Sequence, residues 1–201
     1  MANCSSVIGA GAWGSALAIA LSENFDVVYL QVYAEDELAS IYPRHPALPV
    51  DYSGNIKLTC KADNISNSEC ILIAVPSYGF ATTLESIKPH LNPSQQIAWA
   101  TKGFDTTNQC FLHQTFDRII KDQYSCVISG PSFAYEVASG KPTALSVASK
   151  DKKTREYWAQ ILQTNTLRAY TNEDIVGVEV GGSVKNILAI AAGIASGLGF
   201  G

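Results

Sequence analysis

Clustered cysteine, clustered histidine and clustered positive charge are all missing from this chain of 201 residues. The five cysteines, Cys4, Cys60, Cys70, Cys110 and Cys126, are odd in number and scattered, with no C-x-x-C. That argues against a disulfide framework and against a cysteine zinc site, and points to reduced thiols. His45, His90 and His113 stand in no carboxylate or cysteine cluster along the chain, so they receive no role and no metal is expected. Lys and Arg number 14 against 18 Asp and Glu, a net charge of -4 with no basic run, which argues against a nucleic-acid partner. One small anion stays compatible, because one or two placed cations bind it whatever the overall charge. Charged residues are 16% of the chain and hydrophobic residues 47%, too little charge for disorder and enough apolar matter for a core. The N-terminus lacks a basic leader, and its apolar run at 7–21 is interrupted by three glycines and a tryptophan, so it does not read as a signal peptide. The run at 187–200 is too short and too glycine-rich to span a bilayer alone. A cytoplasmic protein without a membrane span is the expectation.

What is present is a regular alternation of short β-branched runs and helical patterns, which predicts a Rossmann-type, mainly parallel α/β sheet with helices on both faces. Strands are expected at 5–8, 27–32, 57–60, 70–75, 96–100, 125–129 and 143–148. Helices are expected near 13–22, 78–88, 110–120, 132–139 and 152–162, with a loop at 47–54. The run from Cys70 to Val75 shows no polar alternation, as suits a central strand covered on both faces. After Asp174 the texture changes to a long helix rich in Gly, Ala and Ser. This divides the chain into a dinucleotide-binding domain at 1–172 and the start of an all-helical domain at 173–201. The absence of any cap near Gly201 reads as a truncated piece of a longer protein.

Gly9-Ala10-Gly11-Ala12-Trp13-Gly14 is a G-x-G-x-x-G directly after a strand and opening a helix. The first glycine permits the tight turn, the second lets backbone approach a pyrophosphate, and the third lets helix and strand pack closely. Free N–H groups at the helix N-terminus would then hold the phosphates of NAD or NADP. An acidic residue about 20 positions on commonly binds the ribose 2′-OH of NAD. Glu35 and Asp36 lie near that distance, although acidic residues also suit a first helical turn. No Lys or Arg occurs between Gly14 and Arg44, so a 2′-phosphate lacks a local cation. Tyr33 is placed to lie against the adenosine instead.

Three further motifs follow strands or open the last helix: Trp99-Ala100-Thr101-Lys102-Gly103, Ile128-Ser129-Gly130-Pro131-Ser132-Phe133-Ala134, and Gly181-Gly182-Ser183-Val184-Lys185-Asn186. With the glycine motif and Val75-Pro76-Ser77, they closely resemble bacterial-type NAD(P)-dependent glycerol-3-phosphate dehydrogenase, from the first strand to Gly201. The resemblance implies reversible hydride transfer between NAD(P)H and dihydroxyacetone phosphate, giving sn-glycerol 3-phosphate for glycerophospholipid synthesis. By motif match Lys185 is the catalytic lysine, and Lys102 touches both substrate and cofactor. Gly130 and Ser132 are substrate contacts; Ala12, Trp13, Tyr33 and Ala134 are cofactor contacts. Tyr33 departs from the Arg or His common in the family. The resemblance further implies a homodimer and a larger helical domain supplying an Asp, an Arg and an Asn, none of which is here. These residues alone are therefore expected to bind cofactor with little or no turnover.

Chemistry agrees independently. Hydride addition to a ketone builds charge on oxygen, which a nearby acid lowers in energy. Lysine serves if burial or a second cation lowers its pKa, and Lys102 supplies such a cation. A competing reading makes Lys185 a snorkelling surface lysine. Its small neighbours Gly182, Ser183, Ala189 and Ala192 favour a buried helix instead. Ser132 is also placed to cap the helix it starts. Two other functions stay open. A β-hydroxyacid dehydrogenase typically carries Lys-x-x-x-Asn, whereas here Asn186 follows Lys185 directly and position 189 is Ala. A non-catalytic, dinucleotide-binding redox sensor would have no need of the two lysines.

Overall fold

The computed structural model describes residues 3–200, the side chain of Asn186 excepted. In chain order the elements are β1 (Cys4–Ile8), α1 (Ala12–Leu21), β2 (Val27–Gln31), α2 (Glu35–Ile41), β3 (Ile56–Thr59), β4 (Cys70–Ile73), α3 (Ser77–Ile87), β5 (Gln96–Trp99), α4 (Leu112–Ile119), β6 (Ser125–Ser129), α5 (Ala134–Ala138), β7 (Thr143–Ala148), α6 (Lys152–Ile161), β8 (Leu167–Asn172) and α7 (Ile175–Gly197). The strands form one sheet in the order β3-β2-β1-β4-β5-β6-β7-β8. Among the described residues every pairing in it is parallel except that of β6 with β7.

Successive side chains of a strand point to opposite faces, and β4 shows what this does. Cys70 and Leu72 join one apolar cluster with Leu17, Val137 and Trp158 from α1, α5 and α6. Ile71 and Ile73 join the other with Phe80, Phe116 and Val178 from α3, α4 and α7. Both faces are covered, which is why the sequence of β4 is apolar throughout. In the second cluster Trp99 lies between Phe80 and Phe116, with ring centroids 5.6 and 5.5 Å away. Such pairs contribute about 0.5–1.5 kcal/mol each beyond the area they bury.

The differences from the sequence reading have local causes. β8 was not expected: its sequence Leu-Arg-Ala-Tyr-Thr-Asn is mostly polar because it is an edge strand with only Leu167 buried. α2 buries only Ile41 and so carries no apolar stripe to betray it. The helix expected over 132–139 begins at Ala134, behind an N-cap at Phe133 without a side-chain cap bond. Ser132 therefore caps nothing. In α7, Val178 and Glu179 are buried, whereas Ala189 and Ala192 are exposed along with Ile187, Leu188, Ile190 and Ile194. The expected buried helix is buried only in its first half. Among the described residues no single helix is long and apolar enough to cross a membrane.

Candidate active site

Strand order reverses between β1 and β4, so their carboxyl ends diverge into a crevice where open α/β sheets place ligands. The glycine turn sits there. Gly9 has φ 105°, and a Cβ on it would meet the Ala74 backbone at 2.9 Å, so the turn is wedged against the end of β4. A Cβ on Gly14 would overlap the Gly9 carbonyl. A Cβ on Gly11 would meet nothing within 4 Å. The backbone at Gly11 faces open space, and α1 has no side-chain cap on its first N–H groups. That cradle fits a pyrophosphate held by amides.

A cavity of about 690 Å³ runs from this turn along the end of β2, lined by Gly9, Gly11, Tyr33, Glu37, His45 and Tyr78 among others. Tyr33 is 94% exposed at its rim. The acidic residue of the cavity is not one of the expected pair. Glu35 accepts a hydrogen bond from the Cys60 thiol at 3.5 Å, away from the cavity, whereas Glu37 accepts one from the Tyr33 amide at 3.2 Å and lines it. Spacing alone cannot rank three consecutive acids, because the start of α2 decides which of them turns inward. His45 also lines the cavity, and burial pushes its imidazole pKa down, towards the neutral form.

Lys102 and Lys185 come from segments 83 residues apart in the chain. Lys102 follows β5, half-buried, with its ammonium 5.3 Å from the centre of the Trp13 ring. Burial and then the positive charge of Lys185 push its pKa down, so the two cations act on each other. Lys185 is also half-buried; its Nζ donates to the Ser132 carbonyl at 2.9 Å and lies 4.4 Å from the centre of the Phe133 ring. Close packing of α7 on β6 brings it there: a Cβ on Gly182 would stand 2.5 Å from Ser129 Oγ. Gly130 presses equally closely on β7, where a Cβ would meet the Ala144 carbonyl at 2.7 Å. Gly130 and Lys185 line a second cavity of about 560 Å³ between the ends of β6 and β7 and α7. Ala134 opens α5 and packs on the first apolar cluster.

Three buried polar atoms around these groups, Trp13 Nε1, Thr101 Oγ1 and Ser132 Oγ, have no hydrogen-bond partner among the described residues. Buried donors and acceptors are normally paired, so orphans in the glycine motif, next to Lys102 in the chain and at the residue whose carbonyl Lys185 bonds suit polar ligands. Thr101, between β5 and Lys102, is an addition to the sequence reading. So is His113, which the linear sequence left isolated. In the fold its Nδ1 lies 2.6 Å from Glu179 Oε2, a partner 66 residues away that no local spacing signals.

The profile of the NAD-dependent glycerol-3-phosphate dehydrogenase N-terminus matches residues 5–155, and that of the C-terminus matches residues 174–201. The chain is 60% identical to glycerol-3-phosphate dehydrogenase (NAD(P)+) of Ruthia magnifica subsp. Calyptogena magnifica, over 98% of this chain and 60% of that relative. It is 39% identical to the enzyme of the same name from Methylococcus capsulatus, over 100% of this chain and 62% of that relative. A crystal structure of glycerol-3-phosphate dehydrogenase from Coxiella burnetii, 36% identical, superimposes with a TM-score of 0.88 over 99% of this chain and 62% of that one. The chain thus spans about three fifths of the length of the relatives it matches. By the profile covering residues 5–155 the chain belongs to the NAD-dependent glycerol-3-phosphate dehydrogenase family.

Proposed function

We propose that this chain binds a nicotinamide dinucleotide, NAD or NADP. With the C-terminal region that its relatives carry, it exchanges hydride between NAD(P)H and C2 of dihydroxyacetone phosphate, giving sn-glycerol 3-phosphate. The observation that carries this reading is the placement of two lysines at the carboxyl end of the sheet: Lys102 over the Trp13 ring of the glycine motif, and Lys185 bonded to the Ser132 carbonyl after β6. Residues 1–172 act as the cofactor domain and 173–201 as the start of the helical one.

Gly9, Gly11, Ala12 and Gly14 present backbone to the pyrophosphate; Trp13, Tyr33 and Ala134 flank the rest of the dinucleotide. When bound, the reduced nicotinamide supplies the hydride. As charge grows on the C2 oxygen, the Lys185 ammonium donates a proton to it, and in the reverse direction the neutral amine takes that proton back. The bond from Lys185 to the Ser132 carbonyl aims the ammonium at the end of β6. Lys102 adds a second positive charge that attracts the substrate's phosphate. Gly130, which lines the second cavity, meets the substrate with its backbone, and the Ser132 hydroxyl, unpartnered among the described residues, is free to bond it. The working form is a cytoplasmic homodimer feeding glycerophospholipid synthesis.

The test is loss of nicotinamide absorbance on adding dihydroxyacetone phosphate to NADH and the full-length enzyme. Lys185→Met is expected to remove nearly all turnover and leave NADH binding close to intact, since the group lost acts on the substrate. Turnover near that of the unaltered enzyme overturns the assignment.

A further inference from the structure

Glu179 is the most buried carboxylate near the site, its side chain 2% exposed, and neither cavity nor cofactor cradle accounts for it. Burying a carboxylate is costly unless hydrogen bonds replace its water. Both of its oxygens are engaged by one residue of α4: the His113 backbone N–H donates to Oε1 at 3.0 Å, and His113 Nδ1 lies 2.6 Å from Oε2. The imidazole is itself braced by the Phe111 ring, stacked with centroids 5.6 Å apart. A two-point attachment fixes both the rotation and the axial position of α7 against α4, which a sliding apolar contact does not.

The attachment continues towards the lysines. One turn on, Ser183 Oγ donates to the Glu179 carbonyl at 2.7 Å and accepts from the Gly103 amide at 3.1 Å. Gly103 follows Lys102, and Lys185 lies two residues beyond Ser183. The loop carrying Lys102 is also fastened to α4, the helix that bears His113. Thr115 Oγ1 donates to Asp105 Oδ2 at 2.6 Å, and that bond, first among several, holds the Asp105 carboxyl down at about 2. Residues 113 and 115 of α4 therefore hold the elements that bear the two lysines. We propose that the His113–Glu179 pair and the Ser183 hydroxyl together form a positioning latch that sets α7 in register with the loop after β5, so that Lys185 stands beside Lys102. His113, Glu179 and Ser183 are positioning residues. The proposal rests on the reading of the two lysines given above.

A shift of one residue along a helix is about 1.5 Å, and misplacement of about 1 Å costs on the order of a hundredfold in rate. The register is measurable without turnover, because Lys102 senses the charge of Lys185. The experiment labels lysines of this chain as ¹³C-dimethyl amines and follows the Lys102 signal by NMR against pH, with NADH binding measured alongside. Glu179→Gln keeps an acceptor for the His113 amide and a donor for the ring; the Lys102 midpoint is expected not to rise, and to fall slightly with the lost carboxylate charge. Glu179→Ala loses both bonds and frees Lys185 to move away; the midpoint is expected to rise by roughly half a pH unit or more. Removing a carboxylate by itself lowers a nearby lysine's pKa, and both variants remove it, so a rise seen only with Ala reports position. Ser183→Ala, which leaves the buried pair intact and cuts the link to Gly103, is expected to raise the midpoint too, and it decides the matter if Glu179→Ala does not fold. A Lys102 midpoint that is equal in the Gln and Ala variants, or unmoved in Ser183→Ala, overturns the latch. Failure of the parent chain to bind NADH would overturn the cofactor reading instead and leave the latch result standing.

Discussion

Two lysine ammonium groups in one half-buried site repel each other, and Lys102 shows the consequence. Its pKa is lowered by burial first and by Lys185 second, so the folded chain binds its proton less tightly than the unfolded chain does. Stability linked to this group is then complete above the ordinary lysine pKa and is lost as pH falls through the lowered one. Lys102→Met removes the penalty. It is expected to raise the thermal midpoint at neutral pH and to flatten the rise in stability that the parent chain shows towards alkaline pH. Equal melting curves for the two across that range would contradict it. The adenosine end carries a second residue-scale prediction. Glu37 lines the cavity at the end of β2, and burial disfavours charge on His45 there, so the ribose end of the cavity meets a carboxylate and a neutral imidazole. A ribose 2′-OH bonds a carboxylate, whereas a 2′-phosphate is repelled by it. NADH is expected to bind at least as tightly as NADPH, and Glu37→Gln to shift the ratio towards NADPH by about tenfold, roughly 1.4 kcal/mol. Fluorescence titrations with both nucleotides decide it; NADPH tenfold tighter in the parent refutes the reading.

α7 is where glycines do two different jobs one residue apart. Gly182 faces β6, and a Cβ there would crowd Ser129 Oγ at 2.5 Å. Gly181 is exposed, with nothing within 4 Å of such an atom. Gly182→Ala is expected to cost about 1–3 kcal/mol through overpacking. Gly181→Ala is expected to be neutral or to stabilise by up to about 1 kcal/mol through helix propensity. Denaturant unfolding of the two variants gives both numbers, and the same sign for both would show that α7 does not rest on β6 through Gly182.

Across the whole molecule, stability is unevenly spread. β4 is covered by two apolar clusters, whereas β8 is an edge strand with one buried side chain and α2 buries Ile41 alone. Local opening follows such differences. Native-state hydrogen exchange is expected to be slowest at Ile71 and Leu72 and fastest, among the regular elements, in α2 and the end of β8. Protection in α2 matching that of β4 would mean that α2 is held by contacts the structure does not contain.

The sequence by itself determined the sheet class, the glycine turn and the motifs that bear Lys102 and Lys185. Each is written in a short window: an apolar run for β4, three glycines at fixed spacing, a lysine after a strand. It also supplied the alternation that makes the sheet mainly parallel. Only the tertiary structure decided which of three neighbouring acids enters the cavity, because that depends on where α2 starts. It alone revealed β8, whose polar edge strand lacks an apolar signature, and the release of Ser132 from capping, since α5 begins two residues later. It alone joined His113 to Glu179 and set Lys185 against Lys102. Those contacts link segments scores of residues apart, and their physical basis is the burial of a carboxylate and the close approach at Gly182, neither of which leaves a periodic trace in the chain.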